Sequence, residues 1–262
     1  KGLEEVKALR LRTDLLAESL KKEQDLSKLK DQFITTVSHQ FNTPLSVINW
    51  SLEAFRDPKA TKGKAREYAD AIARSTADIT NIVNDLVTLS DIGFRYQTTR
   101  AAPTDLSAIV HASMERFKKE ATLKRIALTF TAPARDPVLN ANEFTLAKAL
   151  DNLIGNALSY TNDGGAVAIS LTEDGERLLL TVKDNGIGIP KSDQSSIFQQ
   201  FFRAKNAVQK KNVGTGLGLF IVKTIVEGHG GTVRFTSEEG AGSSFSVSLP
   251  RHGAPPVAKS TA

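Results

Sequence analysis

A chain of 262 residues is long enough for two ordinary domains with real cores, and its lack of cysteine excludes a disulfide framework, a thiolate metal site and a cysteine nucleophile. The net charge of +5 and pI near 9.3 would permit a nucleic-acid surface, but the lysines and arginines are spread without a dense basic block and read as solvated faces, so no nucleic-acid partner is expected. No apolar run approaches the roughly 20 residues that cross a bilayer, so the chain reads as soluble with no membrane segment of its own, and the absence of cysteine suits a cytoplasmic location.

The chain begins within a charged helical pattern and its only methionine is Met114, which suggests a piece of a longer protein with a sensor domain upstream and, at full length, room for a membrane anchor. From Leu3 to about Leu29 apolar residues recur at helical spacing among Glu, Lys and Arg. Leu26, Leu29, Phe33 and Val37 step by three and four, so residues 1–30 are expected to form a helix that pairs as a coiled coil, with the repeat interrupted after Leu20. The stripe continues through His39 to Phe55, breaks at Asp57 to Gly63, and resumes from about Ala65 to Leu89 with Ile72, Ile79, Ile82, Val83 and Leu86. Two long helices over 31–93 therefore form a hairpin. A lone hairpin cannot bury both of its apolar faces, so a dimeric four-helix bundle is the expected solution. Pro44 lies inside the first helix without an amide to donate, which predicts a kink one turn after His39.

Residues 94–104 read as a polar linker. Beyond it the period changes: Ile126 to Phe130, Ala166 to Leu171, Leu178 to Val182, Thr232 to Phe235 and Ser244 to Leu249 read as strands, between helical stretches at Leu106 to Thr122, Glu143 to Leu158 and Leu217 to Glu227. The fold expected over 105–250 is an α/β sandwich with helices on a sheet. Residues 251–262 are small, polar and proline-containing, and read as a disordered tail.

Asn152 and Asn156 sit one turn apart on a predicted helix and share a face, so two carboxamides enter one site or simply face solvent; each oxygen suits magnesium. Asp184 follows a strand within Asp184-Asn-Gly186-Ile-Gly188, where its carboxylate can accept from an exocyclic amine such as that of adenine and the glycines let backbone approach a flat ligand. A strand-ending turn of purely local origin is the competing reading. Gly214-Thr215-Gly216-Leu217-Gly218 opens a helix and frees amides for an anion, with phosphate the natural guest. It lacks the lysine and hydroxyl of a phosphate loop and the leading strand of a dinucleotide fold. The basic, poorly periodic stretch before it, with Arg203, Lys205, Lys210 and Lys211, reads as a mobile lid over a triphosphate or as an ordinary solvated loop.

Together these segments resemble the catalytic core of a bacterial two-component sensor histidine kinase. His39 to Pro44 resembles the histidine box, Asn152 to Tyr160 the asparagine box, Asp184 to Gly188 and Gly214 to Gly218 the two glycine boxes, and Phe198, Phe201 and Phe202 the phenylalanine box. The resemblance implies a dimerisation and phosphotransfer hairpin followed by a Bergerat-type ATP-binding sandwich. It places Asp184 on the adenine amine, Tyr160 near the base or ribose, Asn156 on magnesium, and Arg203 at the terminal phosphate. His39 would take that phosphoryl group and pass it to an aspartate of a response regulator. Thr43, one turn from His39, would position the water that dephosphorylates the regulator, unless its hydroxyl merely bonds the carbonyl four residues back. Two positions depart from the family pattern: Gln40 replaces the acid that follows the histidine, which predicts slower autophosphorylation, and Ser159 replaces a lysine whose charge Lys205, Lys210 or Lys211 would offset. The alternatives are a dimeric nucleotide-binding scaffold or phosphatase-biased protein, weak as a kinase because of Gln40, and an ATPase or chaperone, which the histidine box and hairpin oppose.

Overall fold

The structure, a computed structural model, describes residues 2–56, 62–95, 101–133, 137–210 and 214–251. It divides into two compact units, Lys1–Thr76 and Ala77–Ala262. Among the described residues no helix is long and apolar enough to cross a membrane.

The first unit is built from helix α1 (Gly2–Phe55) and the start of α2 (Lys62–Arg95). Their pairing into a hairpin follows from the apolar stripe. On α1 the buried Pro44 and Ser51 and the half-buried Val37, Phe41 and Ile48 step by three and four, and the Trp50 ring meets Tyr68 edge-on at 5.8 Å. α1 does not end at Pro44, which is buried. Leu45, Trp50, Leu52 and Phe55 remain exposed on the same helix. The side chains of Leu26 and Leu29, on which the coiled-coil expectation rests, and the turn residues 57–61 lie outside the described residues.

The second unit is a five-stranded sheet with helices on one face. Its strand order is β2 (Ala127–Thr131), β4 (Ala166–Asp174), β5 (Arg177–Asp184), β7 (Gly242–Pro250) and β6 (Thr232–Glu238), with β2 parallel to β4 and the other pairs antiparallel. Helices α3 (Leu106–Leu123), α4 (Glu143–Tyr160) and α6 (Gly218–Gly228) cover it. The period of two puts Val167, Ile169, Leu171, Leu178, Leu180 and Val182 on the covered face, all buried, against Leu150, Ile154 and Leu158 of α4 and Ile221 and Ile225 of α6. Each such side chain contributes about 1.5–3 kcal/mol through burial. The opposite face carries polar pairs such as the Thr181 and Ser246 hydroxyls, 3.1 Å apart.

Caps set the helix starts. Asp105 accepts from the Ser107 and Ala108 amides, and Asn142 accepts from Thr145 N–H. His229, just past α6, is held neutral: its Nε2 accepts from Asn142 N–H, its Nδ1 bonds the Ile225 carbonyl, and burial keeps its pKa below the usual histidine value.

The linker read over 94–104 is shorter than expected. α2 continues through Arg95, and residues 102–104 belong to β1 (Ala102–Asp105), paired antiparallel with β3 (Val138–Ala141). Four residues with one inward side chain leave too little alternation to reveal a strand; the partner makes it. Arg251 is likewise not part of a loose tail, because its amide donates to Glu176 O, its carbonyl accepts from Asn140 N–H, and its guanidinium meets Glu173 at 2.9 Å. Residues 252–262 lie outside the described residues.

Candidate functional site

In the first unit His39 and Thr43 are exposed and Gln40 is half-buried between them in sequence. Thr43 donates its hydroxyl to the His39 carbonyl at 3.2 Å, the local helix bond that competes with a catalytic use.

In the second unit a cavity of about 440 Å³ opens beside the sheet. α4 supplies one wall through its period. Its apolar stripe faces the sheet, so Lys148, Asn152, Asn156 and Tyr160, each four residues on from the last, line the cavity together. Asn152 donates its amide to Lys148 O at 3.0 Å, which keeps its oxygen as an acceptor near the start of α6. Ser159 lines the cavity as well.

The end of β5 supplies Asp184, which is 8% exposed. Its Oδ1 accepts from Gly186 N–H at 2.9 Å and Ser243 N–H at 3.2 Å. Burial pushes this carboxyl above the usual range, and the two amides offset part of the effect. Gly188 reaches the cavity for a reason unlike the one the sequence suggested. It has φ +62°, and a Cβ there would sit 1.9 Å from the Glu238 carbonyl oxygen, so the glycine permits backbone to cross backbone. Gly216 does the same with φ +68° and 2.6 Å to the Phe201 backbone; Phe201 itself is left-handed at φ 64°.

Of the sequence-derived ligand residues, Asn152, Asn156, Tyr160, Asp184, Gly188, Arg203, Gly214, Thr215, Gly216 and Gly218 line this one cavity. Gly186 stands behind it on Asp184, Leu217 is buried in the core, and Lys205 is exposed away from the lining. Arg203 donates to Ala207 O at 3.3 Å and lies against Gly214.

The stretch read as an irregular lid contains a helix, α5 (Lys205–Lys210), too short for a periodic signal. Asp193 caps it by accepting from Lys205 N–H at 2.9 Å, and with the Ser192 hydroxyl this holds the Asp193 carboxyl below the usual range. Asn206 donates to Gly188 O at 3.0 Å, and Lys210 donates to the Asn162 side chain. Lys211 lies outside the described residues. Several cavity residues escaped sequence reading, among them Lys148, Asp85 and Asn206. Lys148 was detectable as the residue one turn before Asn152, whereas Asp85, which accepts from the Thr215 hydroxyl at 2.6 Å, and Asn206 carried no signal in their own segments.

Two family models match the chain: "His Kinase A (phospho-acceptor) domain" over residues 29–94 and "Histidine kinase-, DNA gyrase B-, and HSP90-like ATPase" over 141–253. The sensor-like histidine kinase SenX3 of Mycolicibacterium smegmatis is 32% identical over 220 residues, covering 84% of this chain and 57% of its own length. Among solved structures, the mycobacterial sensor histidine kinase MprB is 27% identical with TM-score 0.51, over 59% of this chain and 99% of that one. The histidine kinase ThkA, solved in complex with the response regulator protein TrrA, is 18% identical and shares the fold with TM-score 0.61 over 84% of this chain and 61% of its own. The chain spans little more than half the length of SenX3. A phosphoacceptor region followed by an ATPase region, each matched by its own family and both within the stretch shared with SenX3, identifies this chain as a two-component histidine kinase catalytic core.

Proposed function

We propose that the chain autophosphorylates His39 from ATP and passes the phosphoryl group to an aspartate of a response regulator. The observation that carries this reading is the single cavity gathering the α4 carboxamides, Asp184 and the Gly214–Gly218 turn, in a chain that also exposes His39 on α1. Both protein donors to Asp184 fall on Oδ1, so Oδ2 is the oxygen left to accept from the adenine amine. Tyr160 borders the base or ribose, and Arg203 with the 214–218 backbone faces the phosphates.

Magnesium fits the donor set, because Asn156 and Asn152 offer hard amide oxygens, and when bound it would neutralise phosphate charge. Asn156 is the proposed ligand. A ring nitrogen of His39 attacks the terminal phosphorus; a P–N bond forms, the bond to ADP breaks, and the ring proton leaves to solvent. Gln40 can orient the ring by hydrogen bonding but cannot take that proton, so the step runs slower than with an acid.

The proposed organisation is a signalling helix over 1–30, a phosphotransfer hairpin over 31–93 and an ATP-binding domain over 105–250, with a sensor domain upstream in the full protein. Exposed Leu45, Trp50, Leu52 and Phe55 support a homodimer closed as a four-helix bundle. The regulator-bound ThkA supports a receiver-domain partner. Regulator dephosphorylation through Thr43 is a second proposed output.

The test is incubation of this chain and His39→Ala with magnesium and γ-labelled ATP. The expected result is acid-labile, alkali-stable label that His39→Ala abolishes, with nucleotide affinity retained; label that persists in the variant overturns the assignment.

A further inference from the structure

Asp85 lines the nucleotide cavity from α2, close to the second glycine turn. Its carboxylate accepts from the Thr215 hydroxyl at 2.6 Å, and that hydroxyl in turn accepts from Leu217 N–H at 3.1 Å. The side-chain hydroxyl of this turn is therefore already committed to an anion of the chain itself. Across the cavity Lys148 stands one turn before Asn152, half-buried, with its ammonium 5.7 Å from the Phe144 ring centroid. Resting on the reading of this cavity as an ATP site, we propose that Lys148 and Thr215 are phosphate-binding groups and that Asp85 holds the Thr215 hydroxyl as a tethered anion, so ATP binds by displacing this part of α2.

Three observations support it. The carboxylate that Thr215 holds is the same chemistry, an oxyanion, that the Gly214–Gly218 turn would offer its amides to. Lys148 and Asp85 line the same cavity, so a phosphate that enters it meets both the cation and the carboxylate. Burial pushes the Asp85 carboxyl above its usual range despite Thr215 and Lys148, so its charge is held here at a cost that leaving the cavity relieves. The arrangement also supplies the charge that Ser159 lacks: Lys205 is exposed and not part of the cavity lining, and Lys210 is engaged with Asn162, which leaves Lys148 as the α4 cation in place.

Binding of a non-hydrolysable ATP analogue and of adenosine, each with magnesium, is measured by calorimetry on the parent chain, Asp85→Ala, Asp85→Asn and Lys148→Ala. The expected result is about tenfold tighter binding of the analogue to both Asp85 variants, the size of one charge-assisted contact, and about tenfold weaker binding to Lys148→Ala, with adenosine unchanged throughout. Unchanged or weaker analogue binding to both Asp85 variants, with the parent binding both ligands, overturns the competition alone, and weaker binding points to Asp85 as a ligand aid. A parent chain that binds neither ligand overturns the ATP-site reading and this inference together.

Discussion

In α1, His39, Gln40 and Thr43 lie within about one turn of a single helix, and helical periodicity alone brings them together. Around the cavity, Asn156, Asp184 and Gly216 come from a helix, a strand end and a loop that meet only because the sheet and its covering helices hold them there. A site of the first kind tolerates local change without loss of fold. In one of the second kind, the residues that position ligand groups also carry the chain crossings, so the same substitution threatens both.

The largest expected effect separates the two roles of glycine. Gly188→Ala forces a Cβ to 1.9 Å from a backbone oxygen at φ +62°, and is expected to cost more than about 4 kcal/mol and to unfold the ATPase region. Gly164, at φ +79° with nothing within 4 Å of its Cβ position, pays only the left-handed cost of about 1 kcal/mol when changed to Ala. Thermal unfolding of the two variants measures the difference; equal losses would remove the close crossing as the reason for Gly188.

Asp184→Asn probes ligand recognition with the fold kept. The amide retains an oxygen for Gly186 and Ser243 but brings a donor against the adenine amine, so adenine-nucleotide affinity is expected to fall by about 1.5–3 kcal/mol. Stability moves the other way. Because the folded pKa is raised above 3.8, the folded state holds more protons than the unfolded one within that window, and stability falls as pH climbs through it. The variant escapes that fall, so its melting temperature should exceed the parent's at neutral pH and the gap should close below about pH 3.8. A lower melting temperature at neutral pH would show the charge to be stabilising. On α1 the corresponding change is chemical and not structural: Gln40→Glu is expected to speed phosphorylation of His39 about tenfold with no change in melting temperature, measured as the initial rate of labelling.

The contrast also explains what was legible. His39 and its neighbours were readable because one helix carries them, and the five sheet strands because Val167, Ile169 and Leu171 alternate with outward residues. The glycine turns were found, but their physical reason was not, since the Glu238 carbonyl that Gly188 must clear is distant in sequence. β1 and β3 escaped because each exists through the other, and Asp85 because nothing in α2 marks it until Thr215 arrives.

The smallest expected effect lies at a residue with no part in either site. α3 ends with Lys124 still helical and Arg125 left-handed at φ 54°, while Ile126 N–H returns to Ala121 O at 2.9 Å. That is the position where helices favour glycine, and Arg125 is exposed with its backbone strained. Arg125→Gly removes a left-handed cost of about 1–2 kcal/mol but adds unfolded-state freedom worth about 0.5–1 kcal/mol, so a net gain of about 0.5 kcal/mol is expected. Because the change touches neither His39 nor the cavity, labelling rate and nucleotide affinity should stay fixed while the melting temperature rises. A fall in melting temperature would mean that the Arg125 side chain supports the α3–β2 turn by contacts that outweigh its backbone strain.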